Sequence, residues 1–417
     1  MAYRPKSEMI KILTNIKAIA TNSSKSDWKK PSVKTDVAIA IERENIKEIG
    51  ISRKLVKKYP DAEKIDGKDY LVLPGFVDPH THPVFYKTRE EEFRMRIQGK
   101  SYEQIAAAGG GIRNSVRAFR EASFEEIAKL TYHRIQKFLE YGTTTIEAKS
   151  GYGLSLKDEL KALRILKKLS QLIPITIVPT FLGAHEIPDE YRTKRKRYIE
   201  LLIKEMIPTV AEEKLAVFCD VFCEKDVFTV EESERILLAA KDHGLRPKLH
   251  ADELHYTGGA ELAARIRAIS ADHLLMISDE GIAAMRDAGV IPVLLPGTTF
   301  FLGKKDYAPA RKMIKSGLPV SLATDFNPGS SMTQNMQLIL SIAAINMKMI
   351  PAEVLGAATI NSARAIGMEN MVGTIEVGKK ADIILLDIPD YQYLPYHYGI
   401  NHVKMVIRHG QVVHQVD

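Results

Sequence analysis

The sequence predicts an α/β protein: a closed parallel (β/α)8 barrel joined to a small β domain made by the two chain ends. Three observations predict it. Apolar strand-like runs alternate with amphipathic helical stretches through the middle of the chain. Histidine and carboxylate side chains recur where those runs end. Both termini instead carry short alternating segments too small to bury a core alone. Eight strands, each followed by a helix, bury their apolar faces most economically by closing into a barrel.

Taken in order, residues 10 to 72 hold short alternating strands, as in "KILTNIKAIAT" and "DVAIAIERENIKEIG". The eight barrel strands are assigned to "GFVDPHTH", "TTTIEAKSG", "ITIVPTFLGAH", "AVFCDVFCE", "PKLHADE", "AISADH", "VIPVLLPG" and "PVSLATDFNPG". Between them, residues 155–172, 229–244 and 278–289 carry helical apolar spacing. The first strand-to-helix connection is long and contains "AAAGGGIRNS". Residues 372 to 417 return to alternating strands, in "VGTIEVGKKADIILLD" and "HVKMVIRHGQVVHQV". The expected division is therefore 1–73 and 372–417 as one composite β domain, with 74–371 as the barrel.

Apolar residues make up 45% of the 417 and charged residues 27%, the balance of an ordinary globular protein. The first residues lack the apolar core of a signal peptide, and no stretch approaches the ~20 apolar residues of a membrane span. The expectation is a cytoplasmic protein without membrane contact. Net charge is +7, but the basic residues are scattered. The one dense run, "YRTKRKRYIELLIKEM", has helical spacing and reads as a solvated helix face, so no nucleic-acid partner is expected. A modest positive field suits a small anionic substrate. In an extended strand Cys219 and Cys223 stand about 13 Å apart, beyond disulfide reach, and read as buried free thiols.

The chemistry starts at "PGFVDPHTHPVF", residues 74–85. Alternate strand side chains share a face, so His80 and His82 lean the same way, about 6 to 7 Å apart at the backbone. That spacing lets two imidazoles converge on one ion. Strand three ends in His185, strand five in His250, strand six in His273 and strand eight in Asp325. Each histidine alone reads as a hydrogen-bonded structural residue. Their convergence at the C-terminal mouth of one barrel is what points to a site. Imidazoles with a carboxylate suit Zn²⁺ or Fe²⁺ with an open position for water, which ionises near neutral pH when bound.

These residues, with "PGFVDPHTHP" and the terminal "GTIEVGKKADIILLD", resemble the amidohydrolase superfamily. Within it, "SGYG", "LGAHEIP", "KLHADEL", "SADHL", "LLPGTTFFLGK" and "ATDFNPGSS" resemble the imidazolonepropionase family, and the likeness includes "AGGGIRNS" and "PYHYGINHV". The resemblance implies a distorted TIM barrel, an added β-sandwich, one Zn²⁺ or Fe²⁺/Fe³⁺ per chain and a homodimer. It implies hydrolysis of 4-imidazolone-5-propanoate to N-formimidoyl-L-glutamate, the third step of histidine breakdown, by metal-bound hydroxide attacking the ring carbonyl. It places metal ligands at His80, His82, His250 and Asp325. Substrate contacts fall on Arg89, Tyr152, His185, Glu253, Asn327, Gly329 and Ser330, with His273 facing the metal. Asp325 and Glu253 are suited to moving protons, and Arg89 to pairing with the substrate propionate.

Four other readings are weighed against this one. "GGG" at 109–111 lacks the following Gly-Lys-Ser/Thr of a phosphate loop and reads as a mobile loop near the substrate. Lys225, at the end of strand four, is positioned in sequence to be a carbamate bridging two metals, although the resemblance points to one. A deaminase of a cyclic base uses a similar ligand set and is separated by ammonia release. A scaffold that had lost its site is separated by metal content.

Overall fold

The structure is a computed structural model and describes residues 10–25, 27–100, 104 and 110–416. The chain forms two compact units. One comprises the chain up to Asp78, Lys137–Thr145 and the chain from Asn335; the other comprises Pro79–Gln136 and Ile146–Gln334.

In the first unit the N-terminal strands are β1 (Ile10–Thr14), β2 (Ala18–Thr21), β3 (Ser32–Lys34), β4 (Val37–Glu42), β5 (Asn45–Ile51), β6 (Glu63–Asp66) and β7 (Leu71–Pro74). They form two sheets: a four-stranded one ordered β5-β4-β1-β6, and a six-stranded one that also takes three C-terminal strands. There β7 pairs antiparallel with residues 383–386, Leu71 opposite Leu386 and Pro74 opposite Ile383. Period-2 alternation explains the packing. Ile39 and Ile41 of β4 join Leu13, Val72, Ile383, Leu385 and Ile407 in one buried cluster drawn from both sheets. Ala38 and Ala40, on the opposite face of β4, stay small where Leu55 of the helix Ser52–Lys58 covers them. Each fully buried Leu, Ile or Val contributes about 1.5–3 kcal/mol. Neither chain end owns this core alone.

The compact units divide the chain at points other than 74 and 371. Hydrogen bonding gives a reason. The helix Met336–Met347 sends the Gln337 amide to Asn401 Oδ1 at 2.8 Å, a residue of the C-terminal stretch.

The barrel strands are β8 (Phe76–Thr81), β9 (Thr143–Lys149), β10 (Thr176–Ala184), β11 (Phe218–Cys223), β12 (Arg246–Ala251), β13 (Ser270–His273), β14 (Ile291–Leu294) and β15 (Ser321–Leu322). The C-terminal strands that complete the six-stranded sheet are β16 (Ile383–Leu386), β17 (Val403–Arg408) and β18 (Gln411–Gln415). Order in the eight-stranded sheet follows chain order, and β10 through β15 pair in parallel. The ring closes just beyond the short β15: Asp325 N–H donates to the His80 carbonyl at 3.1 Å, and His82 N–H donates to Phe326 O at 2.8 Å. Closure therefore runs through two of the residues singled out in the sequence.

The three predicted helices occur at Leu156–Leu169, Val230–Asp242 and Asp279–Ala288. Ser155, Thr229 and Ser278 cap them, each hydroxyl accepting a backbone N–H three residues on. Thr229 and Glu232 form a complete capping box. In the basic run, Arg195 pairs with Glu232, and Glu200 pairs with Lys204 and Arg235. Cys219 and Cys223 are buried and free. Among the described residues, no helix is long and apolar enough to cross a membrane.

Candidate active site

The strand parity of β8 turns His80 and His82 to one side, and β12 brings His250 to meet them. One donor atom from each of the three lies within 4.8 Å of the others. His80 Nε2 and His82 Nε2 are 3.1 Å apart, and Asp325 Oδ1 stands 3.5 Å from both. The His273 ring centre is 5.5 Å from that of His80 and 5.2 Å from that of His250. His185 stacks on His82 at 5.4 Å. Six residues predicted from five strand ends thus share one cluster. Two of them hold left-handed backbone, with φ of 78° at His273 and 51° at Asp325. For non-glycine residues this is strained geometry of the kind found at functional sites.

The donor chemistry fits a cation. His80 Nδ1 is 2.6 Å from Asp272 Oδ2, which fixes its proton there and leaves Nε2 as a lone pair. Burial first, then the Lys149 charge, holds the His80 imidazole well below its usual pKa. Burial first, then neighbouring His185, does the same at His82. The His80 lone pair, His82 Nε2 and the Asp325 oxygen converge on one point, an arrangement suited to a cation. His250 differs: burial acts most strongly and lowers the imidazole, but the charge and hydrogen bond of Asp220, whose Oδ2 is 3.0 Å from Nδ1, with the Asp272 charge, raise it on balance. Burial, only partly offset by the Thr298 hydroxyl, pushes Asp325 up to about 6. Three imidazoles and one carboxylate are a donor set for Zn²⁺ or iron.

Around this cluster lie the remaining predicted residues. Burial, then the Asp325 charge, pushes Glu253 up to about 7, and its Oε2 is 3.5 Å from His273 Nε2. His185 is pulled down to about 4, chiefly by burial, while its Nδ1 bonds the Gly151 carbonyl at 2.9 Å. Tyr152 sets its ring against His185 and His82. Burial raises its phenol against the pull of the Arg89 cation. After β15, Asn327 organises a tight turn. Its Oδ1 accepts the N–H groups of Gly329 and Ser330, both at 2.8 Å, and its Nδ2 donates to the Asp325 carbonyl at 2.7 Å. A Cβ at position 329 would lie 2.3 Å from Arg89 Nη1, so glycine there lets the guanidinium lie against the turn, and a larger residue would displace it. Glu92 takes the Nε and Nη2 edge of Arg89, so the pairing with the neighbouring "REEE" acids exists as well.

The sequence reading missed a charged layer inside the barrel: Glu147 and Lys149 on β9, Asp220 on β11, Lys248 on β12 and Asp272 on β13. A signal was present, because charges inside strands buried on both faces break the apolar pattern of parallel sheets. Lys225 lies outside this layer. It is exposed on the turn after β11, away from the strand face that carries Asp220. Of the glycine run, Gly109 is outside the described residues, and Gly111 N–H donates to Glu92 at 2.9 Å.

A barrel with three imidazoles and an aspartate gathered at its strand ends defines a metal-dependent hydrolase. The profile of the amidohydrolase family matches residues 71–413. The imidazolonepropionase of Geobacillus kaustophilus (strain HTA426) is 51% identical over 380 residues, 90% of this chain and 89% of that protein. That of Brevibacillus brevis is 50% identical over 386 residues, 92% and 91% of the two. The chain belongs to the imidazolonepropionases of the amidohydrolase family. Solved structures share the fold at low identity. E. coli guanine deaminase superposes with a TM-score of 0.77 at 13% identity, covering 98% of this chain and 100% of that one. A zinc-bound adenosine deaminase from Xanthomonas campestris gives 0.71 at 18%, covering 96% and 92%.

Proposed function

We propose that the chain hydrolyses 4-imidazolone-5-propanoate to N-formimidoyl-L-glutamate, a step of L-histidine degradation. The observation that carries this reading is the complete cluster of His80, His82, His250 and Asp325 in a chain about half identical to imidazolonepropionases. Those four residues would hold one Zn²⁺ or iron ion. When bound, such an ion acidifies a water and polarises a carbonyl.

The chain's own residues handle the rest. Water adds to the ring carbonyl carbon, and the bond from that carbon to the ring nitrogen breaks. The carbon leaves as a carboxylate, and the freed nitrogen stays in the formimidoyl group. Asp325, with Oδ2 held by the Thr298 hydroxyl, is placed to accept the water's proton on its other oxygen. Glu253, poised near neutrality beside His273, relays a proton to the departing nitrogen and holds the ring N–H. His273 orients the carbonyl, and His185 and Tyr152 form the wall against which the flat ring lies. Arg89 receives the propionate as a charge-assisted pair beside the Asn327–Ser330 turn. A cytoplasmic homodimer completes the reading.

Turnover of imidazolone propionate, with the product identified by mass, tests it. N-formimidoyl-glutamate without ammonia is the expected result. Stoichiometric ammonia from a purine or pyrimidine, with no ring opening of imidazolone propionate, would replace the reading with a deaminase.

A further inference from the structure

Beneath the imidazoles, the charged layer has a connectivity that the proposed reaction does not use. Lys149 Nζ lies 2.7 Å from Asp220 Oδ2, 2.8 Å from Glu147 Oε1 and 3.8 Å from Asp272 Oδ2, and all four side chains are fully buried. Each aspartate turns the same oxygen to an imidazole: Asp220 Oδ2 is 3.0 Å from His250 Nδ1, and Asp272 Oδ2 is 2.6 Å from His80 Nδ1. Asp272 is steadied further by the Ser270 hydroxyl, which donates to Oδ1 at 2.7 Å and accepts from Lys248 Nζ at 2.6 Å. Five consecutive strands, β9 to β13, hold this arrangement or flank it, and its output reaches β8 and β12.

We infer that Lys149 is a positioning residue: its single ammonium clamps the two carboxylates that aim His80 and His250 at the metal. The inference rests on the reading of those two histidines as ligands. Its physical basis is geometric. A ligating imidazole presents Nε2 along one direction only, and the acceptor at Nδ1 sets that direction. An unclamped carboxylate can rotate about its own bond, and its imidazole turns with it. Lys149 stops this directly at Asp220, 2.7 Å away, and at Asp272 it acts together with Lys248, whose Nζ lies 3.7 Å from the same oxygen. Glu147 is the third arm, and the Thr81 hydroxyl, between His80 and His82, donates to the Glu147 carbonyl at 2.6 Å. The Lys149 ammonium, with Lys248 beside Asp272, offsets the repulsion among the three carboxylates.

The test is metal binding, read separately from turnover. Zn²⁺ affinity is measured by chelator competition, and the Co²⁺-substituted protein is followed by its visible absorption bands. Lys149→Met is expected to bind Zn²⁺ about 10- to 100-fold more weakly, with shifted Co²⁺ bands and a native circular dichroism spectrum. If Lys149 acts through the aspartates, the same substitution in an Asp220→Asn/Asp272→Asn background loses little more. An equal loss in both backgrounds, or wild-type affinity in Lys149→Met, overturns the inference. Should Lys149→Met fail to fold, Glu147→Gln/Lys149→Met keeps the cluster's net charge and is expected to show the same weakening. Wild-type affinity there, or failure of that variant to fold too, assigns the lysine to stability alone and also overturns it. His80→Ala is run alongside. If it keeps its metal, the ligand reading itself fails; if only the lysine variants keep theirs, the clamp fails and the ligands stand.

Discussion

Asp325 joins three tasks at one residue: it faces His80 and His82, its backbone closes the barrel, and its carbonyl anchors the Asn327 turn. Asp325→Asn keeps the shape and removes the basic oxygen. We expect kcat to fall at least ~10²-fold, the scale of general-base catalysis, with metal retained or weakened. A rate within twofold of the parent would show that the base lies elsewhere. Glu253 sets a pH dependence. Burial and the Asp325 charge hold its carboxyl near 7, so it is protonated below that value and able to accept above it. The kcat/KM profile is expected to rise with pH along an acid limb centred at or below 7, since a bound cation pulls the value down. In Glu253→Gln that limb should move to lower pH, where the Asp325 carboxyl titrates. For Arg89, losing a charge-assisted bond costs ~1.5–3 kcal/mol, or roughly 10- to 150-fold. Arg89→Met should lower kcat/KM for imidazolone propionate by about that factor and leave a ring analogue without the carboxylate nearly unaffected. Equal losses on both substrates would mean that Arg89 supports the 327–330 turn and does not read the propionate.

At the level of strands and helices, much of the barrel was legible because its signals are local. The assigned "GFVDPHTH" overruns β8, Phe76–Thr81, by one residue at each end, and Ser155, Thr229 and Ser278 mark their helix starts as capping chemistry requires. Even β15, only two residues long, was found through "SLATDFNPG", because Asp325 closes it. Of the buried charge layer, the individual charges were legible as breaks in apolar strands, but their pairing was not: nothing local says that Lys149 and Asp220, 71 positions apart in sequence, meet at 2.7 Å. Lys225 shows the same limit from the other side. It stands at a strand end in sequence, but parity gives the inward face to Asp220 and Phe222 and leaves the lysine in solvent. Lys225→Ala should therefore keep one metal per chain and most of its activity. Two metals per native chain, falling in the variant, would restore the bridging carbamate.

For the whole molecule, stability and chemistry draw on different parts. The sandwich core of Leu13, Ile39, Val72, Ile383 and Leu385 lies in the unit that does not contain His80, His82, His250 or Asp325. His250→Ala should abolish metal binding and turnover together while preserving secondary structure and a cooperative melt. Normal activity in a metal-poor His250→Ala protein would sink the site assignment. The two-sheet domain was foreseen only in outline. That both ends must share a core follows from their size, whereas strand order does not, since the pairing of β7 with β16 joins distant segments.

That pairing also sets a timetable for synthesis. A ribosome adding ~5–20 residues per second needs tens of seconds to travel the roughly 300 residues from β7 to β16. Until then β2 and β7 have the parallel partnership of each other but no β16 to close their sheet, and Val72 has only part of the cluster that will bury it. The barrel strands emerge in the order in which they pair, each finding its neighbour already made. The nascent chain thus carries an unfinished apolar edge for the whole interval between β7 and β16, and β16 is the segment that closes it.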